Sequence, residues 1–216
     1  MTIKLNLKLL ETEAKIKNTI IQNLYKEVKN IFNKIGPNIA SQLKDILRQE
    51  IKNQPEYDSL KNGVLRFEFG IPDTSVVDGL IDMILNTLST RVAQVSVNNN
   101  KLSVSLVIEM LSEQDLETIA SSSQAFVNDQ KGYSLPWFRW LIFEGVSPII
   151  KNYKVKFGSN PNSRTGNAIM VYSSSSWSVP AKFAGTSNNN WIIRALNDIK
   201  ENTINSILKK EIMRYI

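Results

Sequence analysis

The sequence predicts an α+β fold: a mainly antiparallel sheet packed against helices, with an N-terminal helical hairpin and a long C-terminal amphipathic helix. Three observations predict it. Apolar residues recur at steps of three and four near both ends of the chain, the spacing of one helical face. Between them, Leu102, Val104, Leu106, Ile108 and Met110 alternate with polar residues, the period of a half-buried strand. Gly, Pro and Asn clusters punctuate the segments where the period changes.

The first face is Ile16, Ile20, Leu24, Val28, Ile31 and Ile35. Gly36-Pro37 should end that helix, because Gly accepts a left-handed cap and Pro cannot continue the hydrogen-bond ladder. Pro37 then opens a second helix with Ile39, Leu43, Ile46, Leu47 and Ile51 on one side, stopped by Asn53-Gln54-Pro55. Residues 1–55 therefore form an N-terminal helical region and 56–216 an α+β body, the two belonging to one domain of 216 residues.

In the body, Leu65, Phe67, Phe69 and Ile71 alternate and predict a strand over 64–71. A helix follows over 75–90 on Val77, Leu80, Ile81, Ile84 and Leu88. Strands at 92–97 and 102–110 make a hairpin around Asn98-Asn99-Asn100, since Asn tolerates positive φ. Ser112 with Glu113 and Asp115 marks a helix N-terminus, and Lys131-Gly132 a turn. Pro136 opens a short aromatic helix or strand. Strands at 149–157 and 167–173 flank the loop GSNPNSRTG (158–166), and Asn188–Asn190 begin a terminal helix over 190–214.

The composition excludes much chemistry. There is no His and no Cys. That removes imidazole general bases, thiolate nucleophiles, disulfides and the usual zinc, copper and haem ligand sets. An enzyme would have to work through carboxylates, Lys, Tyr or a hard cation. No cofactor is indicated. Residues 1–8 alternate without a signal-type apolar core, and no run approaches the ~20 apolar residues of a membrane span, so a soluble, non-exported protein is expected. The abundance of Asn, Ile and Lys is what an AT-rich coding sequence leaves.

Charge is blocked: residues 1–52 carry +5, 53–129 carry −7 and 130–216 carry +8, for the overall +6. Such a chain can pack against itself or against copies of itself, or the blocks can be ordinary solvated surface. The Lys-rich N-terminal helices could hold nucleic acid electrostatically, although their apolar faces point first to packing. Glu68, Asp73, Asp78 and Asp82 are the one acidic grouping to test for a hard cation, against a plain solvated helix face. The loop 158–166 lacks the Gly-Lys-Ser/Thr ending of a phosphate loop and reads as a hairpin tip or a protein-contact loop.

All four Trp lie between 137 and 191, with Arg139 and Arg164 among them and Arg194 three residues beyond the last. Trp and Arg are enriched at interfaces, and aromatics also fill cores. Both readings stand for the candidates Trp137, Arg139, Trp140, Arg164, Trp177, Phe183, Trp191 and Arg194.

The stretch LPWFRWLIFEG, then SRTGNAIM, WSVPAKFAGT and NNNWIIRAL opening a terminal helix, resembles virion structural proteins of tailed bacteriophages, especially neck or tail-completion proteins. In that family an aromatic strand ends in Glu-Gly or Phe-Gly, and an extended Pro/Phe/Gly stretch leads into a C-terminal helix. Those features match Trp137–Gly145, Val179–Gly185 and Trp191–Tyr215. The resemblance implies a non-enzymatic subunit of a homo-oligomeric ring of about six or twelve copies. Its partners would be other neck, connector or tail proteins, with a passing contact with packaged DNA and no membrane. It would reside in the virion after assembly in the host cytoplasm. Another tail or baseplate component, or a basic nucleic-acid-binding accessory protein, are the alternatives. In a ring, the −7 segment of one copy could meet a basic end of the next, which would make assembly salt-sensitive.

Overall fold

The computed structural model describes residues 11–98, 101–128 and 132–215. The segment 1–8 and the turns placed at 98–100 and 131–132 fall wholly or partly outside them. The fold is α+β. It opens with one long helix, α1 (Glu13–Asn53), followed by α2 (Pro55–Asn62), α3 (Val64–Phe69) and α4 (Ser75–Thr87). The hairpin β1 (Ser89–Asn98) and β2 (Lys101–Glu109) precedes α5 (Glu113–Ala120), the short pair β3 (Val127–Asn128) and β4 (Ser134–Leu135), and α6 (Trp137–Phe143). A second hairpin, β5 (Tyr153–Phe157) and β6 (Ala168–Tyr172), leads to α7 (Trp191–Asp198) and α8 (Glu201–Ile212).

The N-terminal helical hairpin is replaced by a single helix that runs through Pro37. The apolar faces on either side of Pro37 are in register for one helix, since Ile31, Ile35, Ile39, Leu43 and Leu47 follow at steps of four. Burial of that continuous stripe outweighs the proline penalty of ~3 kcal/mol. Gly36 serves a different purpose from a cap. A Cβ there would lie 2.9 Å from Thr90 Oγ1, so its bare backbone is what lets β1 lie against α1.

The strand predicted over 64–71 is helical. Leu65 and Phe69 are also i and i+4, and both are buried. A short apolar run fits either period, and packing decides. Arg66 braces the following turn by donating to the carbonyls of Lys61, Ile71 and Pro72.

Among the described residues, three separate two-stranded antiparallel sheets stand in place of the predicted five-strand sheet. β1 and β2 pair with a bulge between Val92 and Gln94. β5 and β6 pair from Tyr153↔Tyr172 to Phe157↔Ala168. Each longer hairpin rests on helices. Leu106 and Ile108 pack on the cluster of Ile35, Ile39 and Leu43, while Val155 and Met170 pack on the main core.

The aromatic stretch opened by Pro136, expected as a short helix or strand, forms the helix α6, where the resemblance implies a strand. The terminal helix divides at Ile199 and Lys200, whose backbones are extended. Asn197 and Asp198 are weak helix formers at that point. The Asn190 side chain caps α7 by accepting from the backbone N–H groups of Ile192 and Ile193. Ser112 and Asp115 form a reciprocal capping box on α5.

The main core draws Leu47 and Ile51 of α1 together with Leu65, Phe69, Leu80, Ile84, Trp137, Phe138, Trp177 and Trp191. The division at residue 55 therefore separates chain segments that share one core.

Candidate functional site

A concavity lies between the C-terminal end of α3 and the β5–β6 hairpin. It has a volume of about 590 Å³. Glu68 and Gly70 form one wall, Tyr153, Val155 and Met170 the other, and the loop 158–166 closes an end through Asn162, Ser163 and Arg164.

That loop is a hairpin tip, and its shape follows from local hydrogen bonds. Ser163 Oγ accepts from the backbone N–H groups of Thr165 and Ala168, and Asn160 Oδ1 accepts from Asn162 N–H. Arg164 is thereby carried onto α3. Gly70 has φ +65°, and a Cβ there would sit 2.6 Å from Arg164 Nε and Nη2. Two requirements thus fall on one glycine: a left-handed backbone and a bare surface against a guanidinium.

Glu68 is the acid of this cleft. Burial pushes its carboxyl up from its ordinary value to about 7, opposed by a hydrogen bond from Trp177 and by the charge of Lys182. Trp177 Nε1 donates to Glu68 Oε2 at 3.4 Å. Behind it stand Phe69, Trp137, Trp140 and Trp177. Phe69 meets Trp177 edge-on at 5.9 Å, and Trp140 meets Trp177 at 5.6 Å.

The eight candidates scatter around this centre. Trp137, Trp177, Trp191 and Phe183 are buried within the chain itself, and Trp140 is half-buried. Their ring faces therefore serve this chain's own core. Trp137 Nε1 donates to the carbonyl of Gln124. Trp191 and Arg194 lie away from the cleft, on α7, where Arg194 pairs with Glu56. Arg139 pairs with Glu117 at 2.6 Å and lies over the ring of Phe143. Arg164 and Trp177 are the two that reach the cleft or its acid.

The acidic grouping disperses. Asp73 caps Ser75, whose N–H and Oγ donate to it and hold its carboxyl below the usual range. Asp78 lies near Lys52 and Lys61 and accepts from Tyr57. Asp82 pairs with Arg48. Among the described residues no three acids converge as a cation site.

The charge blocks also meet inside one chain. Arg48 and Lys52 of the basic start pair with Asp82 and Asp78 of the acidic middle, and Arg139 and Arg194 of the basic end pair with Glu117 and Glu56. Four acids of the middle segment are thus paired with basic residues of the two ends within the molecule.

Sequence reasoning missed the aromatic rim. Tyr153 and Tyr172 face each other edge-on at 6.0 Å, with Tyr172 77% exposed. The alternation of β5 contained the signal, since Tyr153, Val155 and Phe157 share a face.

A second exposed apolar feature lies on α1. Its buried residues begin at Ile35, so residues 13–34 extend ~30 Å beyond that point. Ile20 and Leu24, one turn apart, are 53% and 50% exposed. Among the described residues, no helix is long and apolar enough to cross a membrane. Compared with known proteins, the chain matches no family model, no curated protein and no solved structure.

Proposed function

We propose that this chain is a non-enzymatic structural subunit of a tailed-phage neck, joining head to tail through protein–protein contacts in a ring. The carrying observation is the arm of α1, which leaves Ile20 and Leu24 in solvent on one face. An amphipathic helix of this kind gains by covering its stripe with another protein surface. The resemblance of residues 136–216 to neck and tail-completion proteins supplies the particle. Lys15 and Lys17 on the same arm are paired with Glu11 and Glu13, which weakens the nucleic-acid reading.

The test is the assembly state of the purified chain by light scattering and electron microscopy, beside an Ile20→Glu/Leu24→Glu variant. Rings in the wild type, and monomers of unchanged melting temperature in the variant, support the proposal. A wild type that stays monomeric at all concentrations and in the presence of neck and tail proteins overturns it.

A further inference from the structure

We propose that the outer edge of the β5–β6 hairpin is a binding site for single-stranded nucleic acid, with Lys154 and Lys156 on the phosphates and Tyr153, Tyr172 and Phe157 as stacking platforms. The inference does not rest on the assembly reading, because it uses none of the residues of the α1 arm.

Charge decides the sign of the partner. From Gly145 to Asn197 the chain carries no acid, while Lys151, Lys154, Lys156, Arg164, Lys182 and Arg194 fall inside that stretch. Arg194 pairs with Glu56, Lys182 lies over the ring of Phe183, and Arg164 is carried onto α3. Lys151, just before β5, and Lys154 and Lys156 on it are exposed and make no ion pair or hydrogen bond among the described residues. A polyanion gains by meeting these charges and releasing its own counterions. α1 also exposes Lys26 and Lys29, but Glu27 stands between them, and the nearby Tyr25 and Phe32 are half-buried.

Geometry decides its class. Side chains alternate across a strand, so β5 presents Lys154 and Lys156 to one face and Tyr153, Val155 and Phe157 to the other. Val155 packs on the main core, which leaves Tyr153 and Phe157 exposed at the two ends, about 13 Å apart along the strand. Tyr172 stands opposite Tyr153 and meets it edge-on, its own ring open to solvent. The sheet has two strands among the described residues, so the outer side of β5 carries no ladder partner. A polymer laid along that edge has cations on one side and aromatic rings on the other. A single strand is two-sided in the same way, with phosphates along one side and unpaired bases along the other, and every base has a face that stacks on a ring. A duplex hides those faces, and a flat bilayer would touch one face of the hairpin alone. An acidic peptide would answer the lysines and leave the rings without a partner. Glu68, which lines the neighbouring concavity, lies on the ring side with Tyr153, where bases rather than phosphates would come.

The full chain is titrated into a fluorescein-labelled dT oligomer of about twelve nucleotides, with binding read by anisotropy at several NaCl concentrations. Saturable binding whose log K falls with log[salt] at a slope of about −2, the value for three phosphate contacts on a single strand, supports the site. Lys154→Gln/Lys156→Gln should weaken binding at low salt and reduce the slope to about −0.7. Tyr172→Ala should weaken it about tenfold with the slope unchanged, because stacking is lost and no charge is. Both variants change exposed side chains, and an unaltered thermal melt checks that the fold is intact. Lys26→Gln/Lys29→Gln should bind as the wild type does. Competition identifies the partner. Unlabelled dT oligomer should displace the probe. The dA·dT duplex of the same length, poly-glutamate, and vesicles of equal parts phosphatidylcholine and phosphatidylserine should each displace it about tenfold less well or worse. Absence of saturable binding, wild-type affinity in Lys154→Gln/Lys156→Gln or in Tyr172→Ala, a loss in Lys26→Gln/Lys29→Gln instead, or equal displacement by duplex, poly-glutamate or vesicles overturns the site. Should the lysine variant melt early, Lys154→Arg/Lys156→Arg decides: it keeps both charges, so a folded arginine variant that no longer binds counts against the assignment.

Discussion

Arg194 on α7 holds Glu56 at the start of α2 at 2.5 Å, and the Glu56 side chain is completely buried. The two residues are 138 positions apart in sequence. The pair locks the C-terminal part of the chain onto the helices next to α1. The other oxygen of Glu56 is buried without a hydrogen-bond partner, so the carboxylate depends on Arg194 for compensation.

Removing that offset should be costly. Arg194→Met leaves an ionised carboxylate uncompensated in the core, and the expected loss is ~3–5 kcal/mol in urea unfolding. The double variant Glu56→Gln/Arg194→Met should recover a large part of it, because no buried charge then remains. A double variant as unstable as the single one would show that Arg194 acts through packing instead.

Stability should depend on Glu68 with a definite sign. Its folded value of about 7 lies above the ordinary 4.5, so the unfolded chain gives up that proton more readily. The neutral side chain costs nothing below pH ~4.5, and stability is lost as pH rises from there through ~7. Glu68→Gln should match the wild type at pH 4 and exceed it by ~1–2 kcal/mol at pH 8.5, after allowance for the water that reaches the cleft. Thermal melts across this range test it. A gap that is constant with pH would mean that Glu68 is not the titrating group.

Gly70 and Arg164 should behave as one unit. Gly70→Ala meets both the left-handed backbone and the guanidinium, and should lower stability by at least the ~1–2 kcal/mol of the backbone alone. In an Arg164→Ala background only the backbone part should remain, so the two changes will be non-additive in a double-mutant cycle. Strict additivity would place Arg164 away from Gly70 in solution.

These pairings explain what was legible in the sequence. The strand at 102–110 could be read because Leu106 and Ile108 face helices while Ser103 and Ser105 face water. Ser112 announced α5 because its cap is made within three residues. The 64–71 segment was ambiguous because Leu65, Phe67, Phe69 and Ile71 satisfy period two, while the contacts that fix a helix come from Trp137 and Trp177, far along the chain. The cleft was opaque for the same reason. Nothing local ties Arg164 to Gly70, or Trp177 to Glu68, and only the fold brings them together. The tryptophans could be counted, but their burial depended on partners that composition does not name.

Gly36 and Pro37 give the last expectation, with opposite signs at adjacent positions. Pro37 lies inside α1, where its ring removes a ladder hydrogen bond. Pro37→Ala restores the N–H and should raise stability by ~1–3 kcal/mol, since the helix already continues on both sides. Gly36→Ala is also a gain in helix propensity, yet its Cβ would meet Thr90 Oγ1 at 2.9 Å on a β-branched side chain with little freedom to turn aside. It should therefore lower the melting temperature, and Thr90→Ala should rescue it by removing the hydroxyl. If Gly36→Ala were stabilising by itself, β1 would not lie against α1 as described. If Pro37→Ala were destabilising, the proline would be holding a bend that the packing of Ile35 and Ile39 requires.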